Sequence, residues 1–174
     1  PQSLSNVIVY LVFSTKDREP FIDCEIRDSF HAYLATVVRD TGSECYRVGG
    51  IPDHVHLAIR LARPVSQSDL VEKLKTTSSK WIKTKGPQHS NFSWQRGYGI
   101  FSISRGHLEG LVSYIGNQEE HHRKVSFQDE FRELLRKNQT DFDEQYVWIS
   151  EPDEVGLQPT FYLIPIMGRC PMLI

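Results

Sequence analysis

With 174 residues, of which 39% are apolar, the chain is long enough to bury one core without disulfide help and is expected to form one principal domain. Cys24, Cys45 and Cys170 are odd in number and widely spaced, which argues against a disulfide framework or a paired-cysteine zinc site and suggests reduced thiols in a cytoplasmic protein. The most apolar stretch, Phe161 to Met167, is broken by Pro165 and falls far short of the roughly 20 residues a bilayer demands, so a soluble protein with no membrane partner is expected.

The net charge of −2 conceals a segregation along the chain. Between Glu72 and Arg96, Lys73, Lys75, Lys80, Lys83, Lys85 and Arg96 face a single glutamate, a local balance of +5. Between Asp129 and Glu154 nine acids face three bases, a balance of −6 that reads as a solvated surface turned away from nucleic acid.

In chain order, Asn6 to Thr15 is rich in β-branched and aromatic residues and reads as a strand ending at a polar turn. Asp23 to Arg39 carries Ile26, Phe30, Tyr33, Leu34 and Val37 at helical spacing, with Gly42 as a stop. Glu44 to Val48 and His54 to Leu61 are short strands joined through Gly49 to Asp53. Ser66 to Thr84 is a helix opened by a capping pattern, Ser66 with Asp69.

Gly86 to Gly97 reads as a loop, Tyr98 to Ser104 as a strand, and Gly106 to Arg123 as one helix with Leu108, Leu111 and Ile115 inward. The order βαββαβα suits an α+β, ferredoxin-like sandwich: an antiparallel sheet with helices packed on one face. Ser126 to Asn138 is a further helix with Phe127, Phe131, Leu134 and Leu135 inward, and residues 151–174 form a C-terminal tail of unassigned role behind a domain spanning 1–150.

In Asp53-His54-Val55-His56-Leu57 the histidines alternate with Val55 and Leu57, so both imidazoles point to one face of the strand. That face is either solvated or able to share one metal ion. Farther on, Tyr114, Asn117, Gln118 and His121 fall on one helical stripe beside the apolar one. Gly116 in that helix suggests that something approaches it closely. Lysines alternating with small hydroxylated residues suit phosphate contacts, and Trp94 and Tyr98 offer stacking surfaces for unpaired bases, with Lys16 and Arg18 as further candidates and Trp81 as core.

Four separated segments now stand in one order: Val12-Phe13-Ser14-Thr15-Lys16-Asp17-Arg18, Pro52-Asp53-His54-Val55-His56-Leu57, Trp94-Gln95-Arg96-Gly97-Tyr98-Gly99, and Tyr114 with Gln118 four residues on. Together they resemble the single-tyrosine HUH transposases of insertion sequences that move as single-stranded DNA (the IS200-like transposases), over roughly residues 5 to 148. Tyr10 departs from that pattern, standing where many relatives have histidine, and the tail is longer than usual.

The resemblance implies a DNA transposase that cleaves and rejoins single-stranded DNA at insertion-sequence ends through a 5′-phosphotyrosine, with Tyr114 as nucleophile. His54, His56 and Gln118 would hold Mg²⁺ or Mn²⁺. It further implies a homodimer and hairpin-bearing single-stranded ends as partner. Three protein ligands being supplied, His121 and His122 are read as standing outside the metal shell. Two imidazoles and an amide oxygen form a neutral, rather soft donor set, which by itself favours Mn²⁺, Co²⁺ or Zn²⁺ over Mg²⁺.

Two other functions compete. A water-using metal phosphodiesterase would be expected to carry a His-Glu-x-x-His helix or a second His-x-Thr or His-x-Ser motif, which the chain lacks. A non-catalytic, domesticated module for single-stranded nucleic acid would keep the basic aromatic surface and have no need of Tyr114.

Overall fold

The computed structural model describes residues 4–144 and 147; the tail at 151–174 lies outside them. Four strands, β1 (Val7–Ser14), β2 (Glu44–Ile51), β3 (His54–Leu61) and β4 (Gly99–Ile103), form one antiparallel sheet in the order β2-β3-β1-β4. The two central strands are buried along nearly their whole length, as their runs of Val, Ile and Leu demand. Strand β2 runs through Ile51, so the expected five-residue connection shrinks to Pro52 and Asp53.

Helices α1 (Arg27–Arg39) and α2 (Gln67–Lys83) occupy the positions their periodicity predicts. Gly42, at φ +80, lets the chain turn out of α1, and the Ser66 hydroxyl accepts from Asp69 N–H at 3.1 Å, the cap that starts α2. Both pack on one face of the sheet, where Val9, Leu11, Phe13, Val55, Leu57 and Ile59 meet Phe30, Leu34, Leu70 and Leu74. The α+β sandwich thus stands as expected, with α1 and α2 as its helical layer on that face.

The opposite face is covered as well, by α3 (Leu108–Gly116) and α5 (Phe127–Lys137), through Leu108, Ile115, Phe127 and Leu135 against Ile8, Tyr10, Val12 and Ala58. The single helix expected from Gly106 to Arg123 is interrupted: Asn117, at φ −106 and ψ 21, breaks the ladder, and α4 (Gln118–His122) starts afresh.

The close neighbour of this region is at Gly49, not at Gly116. A Cβ at Gly49 would lie 2.2 Å from the Ile115 carbonyl oxygen, so α3 rests directly on the β2 backbone. At Gly116 it would meet only the end of the Arg47 side chain, at 3.3 Å. The residue just before Tyr114's helical neighbour Gly116 is therefore seated by contact with bare backbone, which fixes how far Tyr114 stands from the sheet.

Candidate metal and nucleophile site

His54 and His56 point into the layer between the sheet and α3–α5, and both are fully buried. The alternation on β3 that sends Val55 and Leu57 to the α1–α2 core delivers the imidazoles to the other side. Their face is therefore covered, and the solvated alternative does not apply.

Each ring is held from behind. His54 Nδ1 lies 2.7 Å from Asp53 Oδ1, and Asp53 is itself ion-paired with Arg18, whose guanidinium sits over the Phe127 ring at 4.1 Å. Burial pushes the Asp53 carboxyl up, but His54 and Arg18 outweigh it and hold its pKa below the usual value. His56 Nδ1 lies 2.6 Å from the Tyr10 hydroxyl, with the two rings stacked. Tyr10 thus orients the second histidine from inside the sheet.

The far nitrogens converge on the same small volume. His54 Nε2 lies 3.0 Å from His122 Nε2, while His122 Nδ1 donates to the Val125 carbonyl at 2.9 Å. With both Nδ1 atoms facing acceptors, two neutral rings would aim lone pairs at each other, an arrangement that calls for a shared proton or a cation. Burial pushes the pKa of His54 down and that of His56 well down, so both favour the neutral, ligating form.

Three buried atoms there have no hydrogen-bond partner: His56 Nε2, Gln118 Oε1 and Glu130 Oε2. Buried polar atoms are seldom left unsatisfied, and a nitrogen lone pair with two electron-rich oxygens is the donor set a divalent cation takes. The residues present therefore fit a metal ion. His54, His56, His122 and Glu130 bring ligand atoms within 4.8 Å of one another, with Gln118, 1% exposed, alongside.

Tyr114 reaches the edge of this cluster. Its hydroxyl donates to Glu130 and lies 3.3 Å from His121 Nε2. Burial and the Glu130 carboxylate push its pKa above the ordinary tyrosine value, so the phenol keeps its proton at neutral pH until a positive charge offsets those effects. Burial also acts upward on Glu130, but His122, His56 and Tyr114 pull it down to about 2. It is a carboxylate at neutral pH, against the expectation that the acids after Asp129 form a solvated surface.

Glu130 was not singled out from the sequence and His122 was set outside the metal shell, yet the structure brings both into the cluster, and both had a periodic trace. Phe127, Glu130, Phe131 and Leu134 follow i, i+3, i+4, i+7, which puts Glu130 on the inward stripe of α5. His122 stands four residues after Gln118, itself four after Tyr114.

The expected DNA-contacting residues separate into groups. Lys73, Lys80 and Lys83 are exposed on α2 and Lys85 is exposed just after it, across the sheet from Tyr114. Lys75 instead turns inward, its ammonium donating to the carbonyls of Gln95, Arg96 and Gly97 at 2.7, 3.0 and 2.7 Å, with its pKa lowered by burial to about 8. Trp94 is 8% exposed in the α1–α2 core, donating to Ser78 Oγ at 2.9 Å, and offers no free stacking face. Both pin the loop that presents exposed Arg96 and Tyr98. Lys16 and Arg18 follow β1, and Arg18 supports the site through Asp53.

Residues 3–118 match the family described as Transposase IS200 like. The ISDra2 transposase TnpA of Deinococcus radiodurans is 24% identical over 116 residues, 64% of this chain and 83% of that protein. Among solved structures, a chain from Deinococcus radiodurans R1 described as a transposase superposes with TM-score 0.54 at 23% identity, covering 68% of this chain and 95% of its own. A REP-associated tyrosine transposase bound to a REP hairpin superposes with TM-score 0.54 at 16% identity, covering 72% and 73%. The family match spans four motifs and two thirds of the sequence, and it ends at the glutamine of the buried cluster: this chain belongs to the IS200-like transposase family.

Proposed function

We propose that the protein cleaves and rejoins single-stranded DNA at insertion-sequence ends, with Tyr114 as nucleophile and a divalent ion, Mg²⁺ or Mn²⁺, held by His54, His56 and Gln118. The observation that carries this reading is the placement of the Tyr114 hydroxyl beside a buried cluster whose His56 Nε2 and Gln118 Oε1 lack partners. All four residues fall inside the family match.

In the cleavage step the Tyr114 oxygen bonds to phosphorus and the P–O3′ bond breaks, leaving a 5′-phosphotyrosine and a 3′-hydroxyl. The phenolic proton is lost and the departing 3′ oxygen gains one. One phosphodiester replaces another, so the exchange is near balance and needs no nucleotide cofactor. The ion, when bound, would neutralise charge on the phosphoryl oxygens. The chain's own contribution is to keep Tyr114 at a fixed distance, through Ile115 on Gly49, and to exclude water around the histidines.

Hairpin-bearing ends are the proposed substrate, supported by the REP hairpin carried by one structural neighbour. A homodimer is the proposed working form. Arg96 and Tyr98, with Lys16 and Arg18, are the proposed strand contacts, and the α2 lysines would engage DNA that wraps round the sheet.

The test is incubation with labelled single-stranded DNA carrying the element's ends and Mn²⁺, followed by a denaturing gel. A slow-migrating adduct that disappears in Tyr114→Phe and on chelation is expected. Binding of the correct ends without any adduct would instead favour a non-catalytic binding module.

A further inference from the structure

Glu130 lies beyond the residues that match the family, as does His122, yet both stand at the centre of the buried cluster. The two oxygens of Glu130 face different partners. Oε1 accepts from the Tyr114 hydroxyl and lies 3.5 Å from Gln118 Nε2 and 3.6 Å from His121 Nε2. Oε2 lies 3.3 Å from His122 Nε2 and 3.7 Å from His56 Nε2, has no hydrogen-bond partner, and is buried. A side chain that is 6% exposed thus aims an unpartnered anionic oxygen at two imidazoles, those of His122 and His56.

Resting on the metal-dependent transferase reading above, we propose that Glu130 is a direct ligand of the divalent ion through Oε2, with His122 beside it, while Oε1 holds the Tyr114 hydroxyl. The ion and the nucleophile then share one carboxylate. This also alters the metal preference. A neutral set of imidazoles and an amide suits softer ions, whereas an added carboxylate oxygen supplies the hard, charged donor that Mg²⁺ and Mn²⁺ favour. The lone pairs of His54 and His122, 3.0 Å apart, gain a common partner in the same ion.

The test is Mn²⁺ binding to the purified, DNA-free protein, read by the electron paramagnetic resonance signal of free Mn²⁺. Glu130→Gln keeps the side-chain shape and removes the charge. It is expected to weaken Mn²⁺ binding at least about tenfold, since loss of even a supporting residue around a metal typically costs about 10–100-fold. The Mn²⁺-induced rise in unfolding temperature should shrink in step, with the chelated protein unfolding near the wild-type temperature. Should Glu130→Gln fail to fold, Glu130→Asp retains the charge on a shorter stem and is expected to bind Mn²⁺ more weakly than wild type. Wild-type affinity in whichever variant folds would overturn the assignment. Because the measurement uses no DNA, it separates the two readings. Glu130-dependent Mn²⁺ binding without any strand adduct defeats the transferase reading alone, and a normal adduct with Mn²⁺ binding indifferent to Glu130 defeats this inference alone.

Discussion

The two faces of the sheet are built from the same strands for opposite ends. On the α1–α2 side, β1 and β3 contribute Val9, Leu11, Phe13, Val55, Leu57 and Ile59, and the layer is almost wholly apolar. On the α3–α5 side the intervening residues include Tyr10, His54 and His56, joined by Gln118 and Glu130, so a polar cluster is buried among Ile8, Val12, Ile115 and Phe127. One face stabilises the domain, and the other bears the cost of dehydrated polar groups gathered where a cation could be held. The α1–α2 core is what makes the second face possible.

This division can be broken from either side. Tyr114→Phe has the largest expected effect, complete loss of the covalent DNA adduct, with an unfolding temperature that changes far less than for core truncations. Phe30→Ala, at a fully buried position of the apolar face, should cost about 3–5 kcal/mol in denaturant unfolding and leave Mn²⁺ affinity per folded molecule unchanged. A loss of Mn²⁺ affinity in that variant would show the two faces to be one cooperative unit. Gly49→Ala probes the seam, where the new methyl must displace the Ile115 carbonyl; it should cost about 1–3 kcal/mol and depress adduct formation as α3 shifts. Gly116→Ala, meeting only a movable Arg47 guanidinium, should do neither.

The smallest effect concerns acid. Burial and Arg27 push the pKa of His31, on α1, down to about 4 from an ordinary 6.5. The unfolded chain therefore takes up that proton first, so stability is fully present above about 6.5 and falls as pH drops toward 4. His31→Gln should flatten the decline in urea midpoint between pH 7 and 5, and an unchanged slope would remove His31 from the acid response.

Much of this was legible in the sequence because its signals are periodic. Alternation in β3 put both histidines on one side, and helical spacing marked α1, α2 and α5 and set Tyr114 beside the inward stripe. Other features have no local signal. The fate of Lys75 and Trp94 and the contact of Gly49 with Ile115 depend on residues distant along the chain.

What the sequence by itself determined, then, is the set of elements, the direction each side chain takes from its own strand or helix, and the family to which Tyr114, His54, His56 and Gln118 belong. Only the tertiary structure decided that a fifth helix closes over the histidines, and with it that Glu130 is a buried carboxylate bridging Tyr114 to the imidazoles. The reason is physical. An acid's role is set by what surrounds it, and in a single α-helix the charged residue on an apolar stripe looks the same whether that stripe meets solvent, a core or a cluster of lone pairs awaiting a cation.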